Sequence, residues 1–238
     1  MLDKGRTYEG LYREFRWHLR ARLNMAEQCL RHPPDQVAIL DLEQGPISYG
    51  VLEGMSVTLA TALQERGIKN GDRVGVLRSQ DAWTAAAHLA IWSLGAISVP
   101  LFTLFQGQAL DARTSDAGVS LIITDANNAL RTMTAPALDP EGLDQLANQN
   151  LYYETTTPDT PACLIYTSGT TGAPKGALHG HRLLTGHLPG VEMSHDFLGQ
   201  KDDCLWTPAD WAWIGGLFDV LMPALALGVP VVAARLPK

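Results

Sequence analysis

The chain has 238 residues, of which 46% are apolar and 18% charged, and its formal net charge at pH 7 is −7. This composition is that of a globular protein and excludes an intrinsically disordered chain. The acidic balance argues against general binding to nucleic acid or anionic membranes, although it leaves room for a local anion site.

The cysteines and the apolar segments indicate the cellular compartment in which the protein is expected. The cysteines Cys29, Cys163 and Cys204 are far apart and odd in number, so they predict neither a disulfide framework nor a zinc site. The amino terminus has no apolar stretch of signal-peptide type, and we expect a cytoplasmic protein without a membrane span. Charge, prolines and glycines interrupt residues 213–234, which predicts a buried helix, a turn and a buried strand.

Strand-like and helix-like patterns alternate along the first half of the chain. After a short apolar run at 37–40, apolar residues recur at helical spacing from Leu52 to Leu63, with Ser48 as N-cap and Gly67 as the stop. Further strands are predicted at 73–77, 96–101 and 119–124, and further helices at 81–94 and 106–117. The alternation predicts one α/β unit, a mostly parallel sheet with helices on both faces.

The middle of the chain interrupts this pattern. Residues 125–160 are rich in Asn, Thr, Pro and Asp, and only one short helix is predicted there, where Asp139 precedes Pro140. Regular alternation resumes with an apolar strand at 162–166.

That strand runs directly into a segment suited to binding phosphate. Its glycines permit tight turns, its free N–H groups and hydroxyls can donate to phosphate oxygens, and its lysine adds positive charge. A loop that follows a strand of a parallel sheet lies at the edge where α/β proteins bind ligands. The candidate residues are Thr167, Ser168, Gly169, Thr170, Thr171, Gly172 and Lys175.

This segment has two other interpretations, a Walker A loop and an ordinary surface loop. The spacing of Gly172, Pro174 and Lys175 is not that of a Walker A loop. An ordinary flexible surface loop is the plainer alternative, because clusters of Gly, Ser and Thr are usually that. The preceding apolar strand and the density of phosphate-binding side chains favour the phosphate site.

The run Tyr-Thr-Ser-Gly-Thr-Thr-Gly-Ala-Pro-Lys-Gly at 166–176 resembles the signature loop of the adenylate-forming superfamily, which includes acyl- and acetyl-CoA synthetases. Residues 47–52, 89–101 and 206–216 also resemble segments of that superfamily, and the last is closest to acyl-CoA synthetases. The resemblance covers nearly all of 1–238, least so at 125–160, where a segment is expected to be missing.

The resemblance implies a two-step reaction. A small carboxylic acid attacks ATP to form an acyl-adenylate and pyrophosphate, and the thiol of CoA then displaces AMP. It implies ATP and Mg²⁺ as ligands, CoA as co-substrate, and Lys175 as the catalytic residue that holds the β- and γ-phosphates.

The same resemblance assigns an acyl pocket to the tryptophan-rich segment. Trp211, Trp213, Gly215 and Gly216 are expected to line or gate it, although tryptophans that only fill the core are the alternative, and for Trp206 the two are evenly matched. Asp210 is equally compatible with capping the next helix.

The histidines near residue 181 lack metal-ligand spacing, so packing or hydrogen bonding is favoured over metal binding, and no metal site is predicted.

The resemblance also identifies elements that do not occur in this sequence: a Tyr-Gly-x-Thr-Glu motif, a ribose-binding acidic residue, a hinge and a small C-terminal domain with its lysine. We therefore expect 1–238 to be the N-terminal portion of an AMP-binding domain, truncated and inactive alone. Two alternatives stay open: a non-catalytic remnant or phosphate-binding module, and a peptide-synthetase adenylation domain. Neither the acid activated nor the oligomeric state follows from the sequence.

Overall fold

The protein is described by a computed structural model that covers residues 7–129, 134–146, 149–167 and 174–234. Its main feature is a six-stranded sheet in which every neighbouring pair is parallel except the last. Strands are numbered in chain order, and the first two of them belong to a second sheet described below. The strands of the main sheet, in spatial order, are β6 (Ala137–Leu138), β5 (Leu121–Thr124), β3 (Arg73–Leu77), β4 (Ile97–Pro100), β7 (Pro161–Thr167) and β8 (Lys175–Gly180).

Eight α-helices lie within the described residues, and local capping accounts for the bounds of the long ones. Ser48 Oγ accepts a hydrogen bond from Val51 N, so the predicted N-cap forms, and Asp81 Oδ1 caps the next helix by accepting one from Thr84 N at 2.7 Å. Gly118 ends another helix in the left-handed conformation. The helices are α1 (Tyr8–Glu14), α2 (Met25–Cys29), α3 (Tyr49–Glu65), α4 (Ala82–Ser93), α5 (Gln108–Ala117), α6 (Ala126–Ala129), α7 (Arg182–Ser194) and α8 (Met222–Leu227).

Alternate side chains of the main sheet enter two separate cores. Val76 of β3 lies in a large core together with α3 and α4, whereas Leu77 lies in a smaller core with Leu110 of α5. Helices therefore cover both faces of the sheet, and the predicted α/β fold class is confirmed. The larger core also takes Leu121, Ile123, Cys163 and Ile165, and the smaller core takes Ile122, Tyr166 and the partly buried Leu164.

A second, three-stranded sheet lies beside the first and was not predicted. The predicted strand at 37–40 forms β1 (Val37–Asp41), but it pairs antiparallel with β2 (Gly45–Ser48) and parallel with β9 (Val231–Ala233). The hairpin is local, with Gly45 at φ +86° in its turn. The pairing of β1 with β9 joins residues about 190 positions apart, and no local pattern announces such a contact.

The apolar stretch 213–234 folds as predicted, into a buried helix, a turn and a buried strand. A π-helical stretch (Gly215–Leu221) leads directly into α8, and Gly228 at φ +76° turns the chain towards β9. Within the described ranges, no helix is long and apolar enough to cross a membrane.

His181 joins the main sheet to helix α2. Its side chain is fully buried, and Nδ1 accepts a hydrogen bond from Met25 N at 3.1 Å. Burial lowers the pKa of His181 to about 4, because the charged imidazolium has lost its hydration. His88, buried in α4, has its pKa lowered to about 3 for the same reason.

These lowered pKa values predict a loss of stability in mild acid. Below pH ~6.5 the unfolded chain protonates its histidines, whereas folded His181 stays neutral down to pH about 4. The free energy of unfolding should therefore fall as pH decreases across this window. We expect His181→Asn, which keeps an acceptor for Met25 N, to reduce the fall between pH 7 and pH 5 by roughly 2 kcal/mol, at 1.36 kcal/mol per pKa unit.

Urea unfolding at both pH values measures this difference. The exposed His18, changed to Gln, is the matched control for the loss of one histidine. An unchanged slope in His181→Asn would contradict the assignment of His181 as a buried neutral group.

Candidate functional site

The predicted phosphate loop joins two paired strands. Thr167 is the last residue of β7 and Lys175 the first of β8, and their Cα atoms are directly paired across the hairpin. Both residues are exposed. The sequence placed Lys175 and Gly176 in the loop, whereas the structure places them in the antiparallel strand β8. Ser168, Gly169, Thr170, Thr171 and Gly172 lie outside the described residues.

Tyr166 anchors the base of this hairpin. Its hydroxyl donates a hydrogen bond to Asp116 Oδ2 of α5 at 2.5 Å. Burial first, and then the neighbouring Asp116 carboxylate, raise the pKa of Tyr166 well above its usual range, so the phenol stays a donor. Opposite it, a Cβ on Gly176 would come within 3.3 Å of the Tyr166 ring and 2.9 Å of Leu164 Cδ1. The absence of a side chain at Gly176 therefore leaves room for Leu164 and the Tyr166 ring beside β8.

The tryptophan-rich segment 206–216 lies at the same edge of the sheet as Thr167. Gln80, which follows β3, donates from Nε2 to Ala209 O at 2.6 Å. Phe102, which follows β4, packs on Trp213 with ring centroids 5.5 Å apart. Strands β3, β4 and β7 are parallel, so the residues after them share one edge. Two predicted site segments that are far apart in sequence thus meet at the carboxyl edge.

The two pocket tryptophans differ in their surroundings. Trp211 is 1% exposed and belongs to the large core, with Nε1 unpaired within the described structure. Trp213 is 45% exposed and presents its ring at the sheet edge. Of the two rings, only that of Trp213 is open to solvent. The lining role predicted for Trp211, Trp213, Gly215 and Gly216 remains a prediction.

Asp210 organises the turn before the π-helical stretch. Its Oδ1 accepts from Ala212 N at 2.8 Å and its carbonyl from Trp213 N at 3.0 Å. Burial raises its pKa, opposed by the hydrogen bonds from Ala212 N and the Thr103 hydroxyl. Asp210 therefore caps a turn rather than the helix, which begins at Gly215 without a side-chain cap.

Three of the histidines near residue 181 form hydrogen bonds, in keeping with the favoured prediction, and His195 Nδ1 bonds to Val191 O at 2.9 Å. His181 binds Met25 N, as described above. His187 Nδ1 lies 2.6 Å from Asp219 Oδ1, which links α7 to the π-helical stretch. Among the described residues, no three His, Cys, Asp or Glu side chains gather as a metal site.

The structure shows a buried arginine at the carboxyl edge that the sequence did not predict. Arg78, directly after β3, has a fully buried side chain that donates to Thr124 O at 2.6 Å, Asp81 Oδ2 at 2.8 Å and Glu141 Oε1 at 2.9 Å. Glu141 belongs to the 3₁₀ turn Pro140–Gly142, whose predicted Asp139 cap forms. Arg78 therefore holds together the residues that follow β3, β5 and β6.

Fold and site together define an α/β protein whose candidate ligand site lies at the carboxyl edge of a mainly parallel sheet. The sequence model of the AMP-binding enzyme family matches residues 25–237. The chain therefore belongs to the AMP-binding enzyme family, whose members form adenylates.

Acetyl-coenzyme A synthetases are among its curated relatives. That of Candida albicans is 29% identical over 262 aligned residues, which take in 91% of this chain and 39% of the relative. That of Alkalilimnicola ehrlichii is 29% identical, covering 90% of this chain and 40% of the relative. The chain thus spans about two fifths of the length of these relatives.

Solved structures of the same family share the fold. An acyl-CoA synthetase from Brucella canis superposes with a TM-score of 0.80 at 23% identity, covering 95% of this chain and 47% of that one. ATP-bound MatB from Rhodopseudomonas palustris superposes with a TM-score of 0.74 at 25% identity, covering 89% of this chain and 45% of that one.

The paired glycines of the pocket segment allow a matched test of its packing. A Cβ on Gly216 would lie 2.4 Å from Asp210 O, a backbone atom that cannot move aside cheaply. A Cβ on Gly215 would meet nothing closer than Asp219 Oδ2 at 3.6 Å. We expect Gly216→Ala to destabilise the protein by about 1–3 kcal/mol. Gly215→Ala, at a helical position, should be neutral or stabilising by up to about 1 kcal/mol.

Urea unfolding of the two variants measures this difference. Equal effects of the two substitutions would show that the close approach of Gly216 to Asp210 does not constrain the segment.

Proposed function

We propose that this chain is the N-terminal portion of an ATP-dependent acid–CoA ligase, which joins a small carboxylic acid to CoA through an acyl-adenylate. The observation that carries the proposal is the β7–β8 hairpin. It presents Thr167 and Lys175 side by side, exposed, on either side of a segment rich in glycine and hydroxyls, at the carboxyl edge of the sheet.

In this proposal the hairpin binds the triphosphate of ATP. Lys175 supplies a mobile positive charge beside the β- and γ-phosphates, and the Thr167 hydroxyl supplies a donor opposite it. The remaining donors are Ser168, Gly169, Thr170, Thr171 and Gly172. Charge placed where negative charge moves in the reaction lowers the barrier to transfer at the α-phosphate.

The acid is proposed to lie against the segment 206–216, with Trp213 as its exposed aromatic wall and Gly215 beside it. CoA as the thiol substrate, and a small acid as the other, are supported by the names of the acetyl-coenzyme A synthetases that the chain resembles.

Mg²⁺ is implied by the family. The described residues include no cluster of three His, Cys, Asp or Glu side chains, so they offer no protein cage for the ion. Mg²⁺ is usually held by one or two carboxylates together with substrate phosphates. The role proposed for Lys175 does not depend on the ion.

A peptide-synthetase adenylation domain is the second candidate. FR901469 synthetase of a Dothideomycetidae species is 34% identical over 159 residues, and the nonribosomal peptide synthetase FmoA3 superposes with a TM-score of 0.79. Exchange of pyrophosphate into ATP separates the two: dependence on an amino acid rather than a simple carboxylic acid would favour the synthetase.

The central test of the proposal replaces Lys175 in the complete ligase. Lys175→Ala should raise the activation free energy of adenylation by about 2–4 kcal/mol. The reason is that the lysine is proposed to lie beside the phosphates that leave as pyrophosphate in this step. The activation free energy of thioester formation from supplied acyl-adenylate should change by less than about 0.5 kcal/mol, because those phosphates have then left. Single-turnover rates of the two half-reactions give both numbers.

The exposed loop lysine Lys201, changed to Ala, is the matched control and should leave both rates unchanged. Equal losses in the two steps, or no loss in either, would contradict the role of Lys175.

A further inference from the structure

A second concave site lies away from the hairpin and the tryptophan-rich segment. It is a cleft of about 210 Å³ between residues 15–20, helix α2 with the residues after it, and helix α7, and we call it the arginine cleft. None of its lining residues belongs to the proposed ATP or acyl site. It is lined by Phe15, Arg16, Trp17, His18, Arg20, Leu23, Gln28, Arg31, Thr185 and Pro189.

The charge of the arginine cleft is opposite to that of the whole chain. Three arginines line it, Arg16, Arg20 and Arg31, and its lining includes no acidic residue, although the chain carries a net charge of −7. An adjoining pocket of about 130 Å³ shares Arg20 and Arg31 and adds Arg22, with Glu27 as its one acidic lining residue. The two concavities together form a local positive site, which attracts anions.

Two of these arginines are held in place by the backbone. Arg31 Nη2 donates to Ala226 O at 3.4 Å, and Arg16 Nη1 donates to Phe15 O at 2.7 Å. Each guanidinium carries further N–H donors. Arg20 forms no hydrogen bond or ion pair with any other part of the described chain. Guanidinium groups with spare donors match the oxygen geometry of phosphates.

The arginine cleft also offers an aromatic face and an unpaired acceptor. Trp17 is 54% exposed, and its ring forms a T-shaped pair with the ring of Phe15, with centroids 5.0 Å apart. Gln28 Oε1 is buried and has no partner within the described structure. A flat ring can stack on such an indole, and a hydroxyl or amino group can satisfy such an acceptor.

We propose that the arginine cleft binds a nucleoside polyphosphate at a site separate from the catalytic one. Arg20 and Arg31 contact the phosphates, Trp17 stacks on the base, and Gln28 Oε1 accepts from a hydroxyl or amino group of the nucleoside. Such a ligand combines dense negative charge, a flat ring and hydrogen-bond donors, which are the three features that the cleft complements.

Calorimetric titration of this chain with ATP and with inorganic tripolyphosphate tests the proposal. All variants carry Lys175→Ala to weaken the proposed catalytic site. Arg20→Ala/Arg31→Ala should lower the affinity for both ligands, by about tenfold or more for each arginine, as expected for the loss of a hydrogen bond to a charged group. Trp17→Leu keeps every charge and should weaken ATP several-fold while leaving tripolyphosphate unchanged.

The exposed Arg66, which directly follows α3 and does not line the cleft, is changed to Ala as a control for the loss of a surface arginine, and circular dichroism checks that each variant is folded. ATP binding unaffected by the double arginine variant, or weakened equally by Arg66→Ala, would overturn the proposal. Equal binding of ATP and tripolyphosphate, unchanged in Trp17→Leu, would overturn the recognition of a nucleoside.

Discussion

Burial of strand β7 on both faces is the constraint on which the site depends. Cys163 and Ile165 enter the large core, while Leu164 and Tyr166 face the smaller one. A slip of one residue in register would exchange all four, so the two cores fix the register of β7. The register in turn fixes where Thr167 ends the strand, and therefore where the predicted phosphate loop begins. Trp92 reinforces it, because its Nε1 donates to Ala162 O at 2.7 Å.

A second set of contacts brings the other site segment to the same edge. Gln80 and Phe102 follow parallel strands, and both contact the segment 206–216. Arg78 ties together the residues after β3, β5 and β6 through one buried guanidinium. Removing a partner from such a buried charge typically costs about 3–5 kcal/mol. In the proposed function this edge positions the acid and the nucleotide relative to one another, and such positioning is a large source of catalysis in transfers of this kind.

Local patterns predicted much of this fold and long-range contacts account for what they missed. The strand at 73–77 and the Ser48 cap follow from residues close in sequence, and they form as predicted. The sequence predicts a loop where strand β8 begins, because Lys175 and Gly176 lack strand character and owe their pairing to β7. The pairing of β1 with β9 likewise depends on contacts that composition cannot show.

The candidate site also has parts that the local sequence predicts and parts that depend on long-range contacts. The glycine- and hydroxyl-rich segment was recognisable because its chemistry is contiguous in sequence. The partners of Arg78 are not: Glu141 lies 63 residues away, and nothing around either residue signals the pair. The contrast between buried Trp211 and exposed Trp213, two positions apart in one aromatic segment, is likewise visible only in the three-dimensional structure.

The most direct measurement of the central claim is hydrogen exchange of this chain with and without ATP. If the β7–β8 hairpin binds the triphosphate, ATP should slow amide exchange in peptides that contain Thr167 and Lys175, whereas the buried strand Arg73–Leu77 should exchange at an unchanged rate. Lys175→Ala should remove most of that protection. If ATP leaves the hairpin peptides unchanged, or protects only residues 15–31 around the arginine cleft, the account of β7 and β8 as the ATP site is contradicted.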